Sequence, residues 1–145
     1  MLLAGILLGQ SVNRGVRFVN ASGLSTPPGY SHAAVIERGR IVYLAGQVGL
    51  DASGKFPGDG GFRAQAVQAF ENLRSVLAAA GAKPADIVKL NYYVVGIDRE
   101  KLTALRQIRD GFIDRTHPPA STLAGVQSLF REDCQIEIEA VAAIP

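Results

Sequence analysis

The chain has very few of the residues that build disulfides or metal sites. Its 145 residues include one cysteine, Cys134, and two histidines, His32 and His117. A single cysteine excludes an internal disulfide framework and a cysteine-based zinc site within one chain. Two separated histidines with no third ligand nearby make a poor metal site. We therefore expect no metal or other cofactor, and the low cysteine content is typical of the reducing cytoplasm, where we expect this protein to be.

The chain also lacks strong charge and long hydrophobic runs. Its net charge of +2 gives no strong attraction to nucleic acid or to an anionic membrane, so we expect neither as a partner. The apolar stretch at residues 1–8 is far shorter than the roughly 20 residues of a membrane span. It has no basic start and no convincing cleavage site. We interpret residues 1–15 as an extension that is a candidate for disorder, or as the product of an upstream start codon. A cryptic export signal is the less favoured alternative.

What remains is an ordinary globular composition, with 48% hydrophobic and 19% charged residues. The length fits one domain, which we place at residues 16–145. The clearest element is an amphipathic helix over residues 62–80, followed by Gly81 as its expected left-handed cap. Asp98 is a plausible N-cap for a second helix, which must end before Pro118. The apolar stripe of this second helix consists of Leu102, Leu105, Ile108 and Phe112.

Six segments are predicted to be strands: residues 16–19, 31–37, 41–45, 87–95, 121–126 and 136–142. Arg38-Gly39-Arg40 favours a hairpin between the second and third of them. In the fourth, alternation places Val88, Leu90, Tyr92 and Val94 on one face. Each helix joins strands that could lie parallel, and right-handed crossovers then put both helices on the same face of the sheet. We therefore predict an α+β fold with a mixed β-sheet and two helices on one face.

The predicted strand at residues 41–45 is apolar on both sides, which is typical of a strand buried on both faces. The sequence offers no third helix to cover the second face. We therefore expect another subunit to cover it.

Glu137 and Glu139 are the most suggestive pair of side chains. At positions i and i+2 of a strand, their carboxylates share one face and lie roughly 7 Å apart. The pattern alone favours a polar strand face, or carboxylates paired with basic groups at an interface, over a catalytic pair.

Several short segments together resemble the RidA (YjgF) family of small trimeric proteins. The resemblance covers roughly residues 16–143 and rests on the order and spacing of five motifs. These are Pro28-Gly29-Tyr30-Ser31, Ala45-Gly46-Gln47, Asn72-Leu73, Pro118-Pro119-Ala120-Ser121-Thr122 and Gln135-Ile136-Glu137-Ile138-Glu139-Ala140. The resemblance implies a chorismate-mutase-like fold and a homotrimer with sites in the clefts between subunits. Its best-known members hydrolyse reactive enamines and imines to ketones and ammonia.

The resemblance also assigns roles to residues. Glu137 matches the glutamate that positions the hydrolytic water, and Tyr30 matches a tyrosine that lines the pocket. Gly46 lies where the backbone can approach the ligand. We add Asn91 and His32 as candidate substrate-binding residues; for His32, a hydrogen-bonded structural role is the favoured alternative.

One motif departs from the family pattern. The family reads Pro-Ala-Arg-Ser, with the arginine anchoring the substrate carboxylate, where this chain has Ser121 followed by Thr122. Losing that bidentate anchor should weaken binding of an imino acid at least about a hundredfold unless another cation compensates. Candidate cations are Arg63, Arg106, Arg109 and Arg131, and the sequence places none of them in the cleft.

Three functions remain open. The first is a hydrolase of the deaminase type acting on a small ligand other than 2-aminoacrylate, whose site includes Ser121 and Thr122. The second is a trimer that binds a small metabolite without turnover. An endoribonuclease or translation inhibitor, another label of the family, is a distant third, because the sequence has no basic stripe and no pair of catalytic histidines.

Overall fold

The computed structural model describes residues 15–145, so the interpretation of the first fifteen residues lies, except for Gly15, outside the described residues. Within residues 15–145, six strands and two α-helices follow one another, with a 3-10 turn, Pro84–Asp86, before the fourth strand. Their bounds are β1 Val16–Val19, β2 Ala33–Ile36, β3 Arg40–Val48, α1 Phe62–Ala79, β4 Ile87–Val95, α2 Arg99–Asp110, β5 Ala120–Val126 and β6 Ile136–Ile144. No helix within residues 15–145 is long and apolar enough to cross a membrane.

Four strands form one mixed sheet in the order β3-β6-β4-β5. Strands β4 and β5 are parallel, and β6 runs antiparallel to both of its neighbours. The two helices cover one face of this sheet, which confirms the predicted α+β architecture. The core between them is built mainly from Phe70, Leu73 and Leu77 of α1 and the inward side chains of β4 and β6, all almost fully buried.

The start of α2 and the end of α1 agree with the sequence signals. The Asp98 carboxylate accepts a hydrogen bond from the backbone N–H of Lys101 at 2.8 Å, which caps the start of α2. Gly81 follows α1 with φ +75, the left-handed conformation expected of a C-terminal glycine.

The predicted hairpin between the second and third strands is wrong. Strand β2 pairs with β1, from Val16 opposite Ile36 to Val19 opposite Ala33, and forms a separate two-stranded sheet. Strand β3 pairs instead with β6. The physical reason is that β6 is a central strand, and its backbone groups need a ladder on both edges.

The face of the sheet opposite the helices, which we call the helix-free face, is covered in part by this small sheet. Phe18 and Ile36 pack with Val88, Val141 and Ala143 in a second apolar cluster. A shift in the β4–β6 register between Ile87 and Lys89 accompanies the placement of Val88 here, rather than in the main core with Leu90 as predicted. The small sheet therefore covers one end of the face that we expect another subunit to cover.

Candidate active site

Tyr30 is fixed beside the first residues of β5 by its neighbour Ser31. The backbone N–H of Ser31 donates to the carbonyl of Pro119 at 3.0 Å, and its hydroxyl donates to the carbonyl of Pro118 at 2.6 Å. A parallel bridge between Ser31 and Ala120 completes the attachment. This brings Tyr30 next to Ser121, with which it lines one cavity.

A cavity of about 240 Å³, which we call the α2 cavity, lies between α2, β5 and the loop that carries Tyr30. Its polar lining residues are Tyr30, Tyr92, Arg106, Arg109 and Ser121. Its apolar lining residues are Pro28, Leu102, Leu105 and Leu123. The cavity is smaller than the roughly 300–1,000 Å³ typical of drug-sized ligands, so it suits a metabolite of a few carbon atoms.

The hydroxyl of Tyr92 is the unusual group in this cavity. Tyr92 is only 3% exposed, and its hydroxyl has no hydrogen-bond partner among the described residues. Burial raises the pKa of Tyr92 above its ordinary value. A buried hydroxyl without a partner is destabilising, so its position at a cavity wall calls for an explanation.

We expect Tyr92→Phe to raise the free energy of unfolding at pH 7 by about 1 kcal/mol, because it removes a hydroxyl that is unsatisfied within residues 15–145 and breaks no hydrogen bond there. The folded protein keeps the Tyr92 proton, whereas an unfolded tyrosine ionises near pH 10. The wild-type protein should therefore lose stability as the pH rises above about 10, and Tyr92→Phe should lose less. Urea unfolding at several pH values measures both effects. Tyr93→Phe is the matched control and should be destabilised, since the hydroxyl of Tyr93 does have a partner.

Glu137 lies on the helix-free face, against Gly46 of β3. A Cβ atom at Gly46 would meet the carboxylate and the Cγ atom of Glu137 well inside van der Waals contact, so only glycine leaves room for this side chain. The β3–β6 register shifts between Leu44 and Gln47, which is the irregularity expected around Gly46. Within the described part of the chain, the Glu137 carboxylate makes no hydrogen bond and no ion pair.

Glu139, on the same face, is in a different situation. One of its carboxylate oxygens accepts a hydrogen bond from the side-chain amide of Asn91 at 2.6 Å and another from the hydroxyl of Tyr93 at 3.0 Å. The hydrogen bond to Glu139 raises the pKa of Tyr93. The side-chain amide of Asn91 is thus occupied by Glu139, and its own carbonyl oxygen is buried without a partner among residues 15–145.

Apart from His32, the remaining candidates fall into two groups. Strand alternation puts Ser121 in the α2 cavity but Thr122 on the helix-free face, where Lys89 donates to its hydroxyl at 2.8 Å. Glu137, Gly46 and Asn91 share the face of Thr122. Within one chain, therefore, the sheet separates Tyr30 and Ser121 from Glu137.

His32 belongs to neither group. Its Nδ1 atom accepts a hydrogen bond from the backbone N–H of Ala21 at 3.1 Å, and its own backbone N–H donates to Asn20 at 2.9 Å. The ring lies 6.2 Å from that of Tyr30, centroid to centroid. Through these two hydrogen bonds, His32 holds the segment at Asn20 and Ala21 against the start of β2.

Sequence reasoning missed Tyr92 as a site residue and could not place Arg106 or Arg109. A usable signal was present, since Leu102, Leu105, Arg106 and Arg109 recur at i, i+3, i+4 and i+7 and so share one face of α2. Two cations at the end of an apolar stripe indicate a face that is only partly buried in the core.

Neither a metal site nor a reactive thiol stands out in residues 15–145. No group of three or more His, Cys, Asp or Glu side chains there could hold a metal ion. Cys134 is 1% exposed, its thiol donates to the carbonyl of Ile136, and burial raises its pKa. A protonated, inaccessible thiol is a poor nucleophile.

Comparison with known proteins agrees with the fold and the motifs. A family model described as Endoribonuclease L-PSP matches residues 22–144. The chain belongs to this family, the RidA (YjgF) family.

Among the relatives of RidA type, a 2-iminobutanoate/2-iminopropanoate deaminase from Dermatophagoides farinae is 31% identical, over 83% of this chain and 94% of its own length. The human protein of the same name is 30% identical, over 90% of each chain. Among solved structures, the Rid-family protein YyfB from Yersinia pestis is 37% identical, with a TM-score of 0.78 over 90% of this chain and 99% of its own.

Proposed function

We propose that the protein is a deaminase of the RidA type that hydrolyses the C=N bond of a small imine or of the enamine that tautomerises to it. Water adds to the carbon of the C=N bond, the nitrogen leaves as ammonia, and a carbonyl compound remains. The observation that carries the proposal is the Glu137 carboxylate, which has no hydrogen-bond or ion-pair partner within residues 15–145 and lies beside a glycine that makes room for it. Two relatives at about 30% identity bear the name of imine deaminases.

The attacking water must lose a proton and the departing nitrogen must gain one. A carboxylate without an ion-pair partner is suited to accept that proton and to return it. In our proposal Glu137 holds the water, the hydroxyl of Tyr30 orients the substrate, and Ser121 lines the pocket. Gly46 lets the ligand approach the backbone. Asn91, Thr122 and His32 are proposed as further substrate-binding residues at the edge of the site.

The site we propose lies between two subunits of a homotrimer. Tyr30 and Ser121 lie on the opposite side of the sheet from Glu137 in one chain, so a single chain does not bring them to one ligand. A neighbouring subunit can supply the missing half. Exposed apolar side chains on the helix-free face favour such an association, since Ile41 is 49% and Tyr43 80% exposed.

We expect Tyr43→Glu to convert the trimer into monomers, because it places a charge in the centre of the proposed interface. Size-exclusion chromatography with light scattering should give about 46 kDa for the wild type, three times the chain mass of 15.3 kDa. The matched control is Val67→Glu, which puts the same charge at an exposed apolar position on α1 and should leave the trimer intact. A wild-type monomer, or a trimer in Tyr43→Glu, would contradict the proposed interface.

The function is tested by ammonia release from 2-aminoacrylate and 2-iminobutanoate generated in place, with the wild type and Ser121→Arg compared. Faster release of ammonia with the wild type than without protein supports the deaminase. Activity only in Ser121→Arg would show that the water-handling groups are intact and that the natural substrate is different. With no activity in either protein the deaminase proposal fails, and the alternative of a metabolite-binding trimer, favoured by the uncharged Ser121, takes its place.

A further inference from the structure

The α2 cavity contains an uncompensated positive charge. Arg109 is occupied, since its Nε and Nη2 atoms both donate to the carboxylate of Asp110, at 2.9 and 2.6 Å, and its side chain is 12% exposed. Arg106, one turn earlier on α2, is exposed and makes no ion pair within residues 15–145. No acidic side chain is among the residues that line the cavity. Among the described residues, the cavity therefore presents one guanidinium that is free to bind an anion.

Neutral donors face the same space. The hydroxyl of Tyr92 is buried and has no partner in the described part of the chain, and the hydroxyls of Tyr30 and Ser121 also line the cavity. A hydroxyl that gains its hydrogen bond only when a ligand is present gives the ligand a favourable interaction that the empty protein lacks. Together these groups could hold both oxygens of a planar anion.

The rest of the lining is aliphatic. Leu102 and Leu105 of α2 and Leu123 of β5 form an apolar wall beside the donors. A cavity of about 240 Å³ with one free cation and such a wall suits a short aliphatic chain that ends in an anionic group.

We propose that Arg106 is the carboxylate anchor of this protein, and that the α2 cavity binds a small 2-imino or 2-oxo acid with its aliphatic chain against the leucines. The identity of the acid rests on the proposed function, whereas anion binding by Arg106 does not. Arg106 reaches the cavity from α2, across from Ser121 of β5. The small side chain of Ser121 leaves the space that the carboxylate occupies, so the absence of an arginine there and the presence of one on α2 belong together.

Isothermal titration of the wild-type protein with 2-oxobutanoate, the product expected from 2-iminobutanoate, tests the anchor. The second probe is 2-oxobutanamide, which has the same shape without the charge. We expect the wild type to prefer the acid over the amide at least about tenfold, because a hydrogen bond to a charged group contributes about 1.5–3 kcal/mol. In Arg106→Gln this preference should disappear, mainly through weaker binding of the acid. Arg99→Gln removes the same charge two turns earlier on α2, away from the α2 cavity, and should keep the preference.

Equal binding of the acid and the amide by the wild type, an unchanged preference in Arg106→Gln, or an equal loss in Arg99→Gln would overturn the proposal. Measuring ammonia release in the same variants distinguishes failure of the Arg106 anchor from failure of the proposed deaminase activity. Binding of 2-oxobutanoate that depends on Arg106, without turnover, would keep the anchor and remove the deaminase. Normal turnover with an unchanged KM in Arg106→Gln would keep the deaminase and remove the anchor.

Discussion

Glu137→Gln should lower kcat for ammonia release by about 10² to 10⁴, the usual contribution of a positioned general base. Glutamine keeps the size of the side chain and can still contact the water, but it cannot accept the proton that the attacking water must lose. Because the Glu137 carboxylate has no partner in the described structure, its replacement leaves no other charge unpaired. Stability should therefore change little, and binding of 2-oxobutanoate should remain, since the anion is held in the α2 cavity. Steady-state kinetics, urea unfolding and titration measure the three quantities separately.

Glu139→Gln provides the control, with the same chemical change two residues further along the same strand face. Its carboxylate is held by Asn91 and Tyr93, so we expect its replacement to weaken this hydrogen-bond network and lower stability, with kcat close to that of the wild type. If Glu137→Gln turned over as fast as the wild type, Glu137 would have no part in the proton transfers. If both variants lost activity together, the fold of this face rather than proton transfer would be responsible.

The sequence predicted those parts of the fold that local chemistry decides. The amphipathic helix α1, the Asp98 cap and the left-handed Gly81 each depend on neighbours within a few residues, and all three are found as expected. The layered arrangement was also predictable, because right-handed crossovers leave few alternatives for two helices between parallel strands.

Pairing between strands distant in the sequence was harder to predict. The hairpin expected around Gly39 gives way to two other pairings because the central strand β6 needs a neighbour on each edge, a requirement that no local pattern reports. The shift in the β4–β6 register near Ile87 is likewise not visible in the local sequence pattern. One extra residue in β4 accompanies the move of Val88 into a second cluster, although the strict alternation of its sequence indicates a single face.

In the candidate site, too, some features follow from the local sequence and others depend on how distant elements pack. The motifs assign both Tyr30 and Ser121 to the site, and in the structure the Ser31 bridge to β5 places the two residues side by side. Alternation within β5 could have shown that Ser121 and Thr122 face opposite sides of the sheet. Which cation faces Ser121 depends on how α2 lies across the sheet, so the choice among the four candidate arginines required the three-dimensional structure.

Gly46→Ala should reduce ammonia release nearly as much as the loss of Glu137 itself. The new methyl group would occupy the space of the Glu137 carboxylate, and because that group is the far end of a flexible side chain, Glu137 should rotate away rather than unfold the strand. We therefore expect a large fall in kcat with only a modest loss of stability. Gly111→Ala is the matched control, since its added Cβ meets its nearest neighbour at 3.5 Å, an ordinary contact, at the end of α2.

A double-mutant cycle identifies the route by which Gly46 acts. If Gly46 matters only because it leaves room for the Glu137 carboxylate, adding Gly46→Ala to Glu137→Gln should cost little further activity, and the two effects should be strongly non-additive. Fully additive losses would mean that Gly46 contributes independently, through close approach of the ligand to its backbone. Either result separates two roles that are superimposed at this position: a glycine that positions the catalytic carboxylate, and a glycine that admits the substrate.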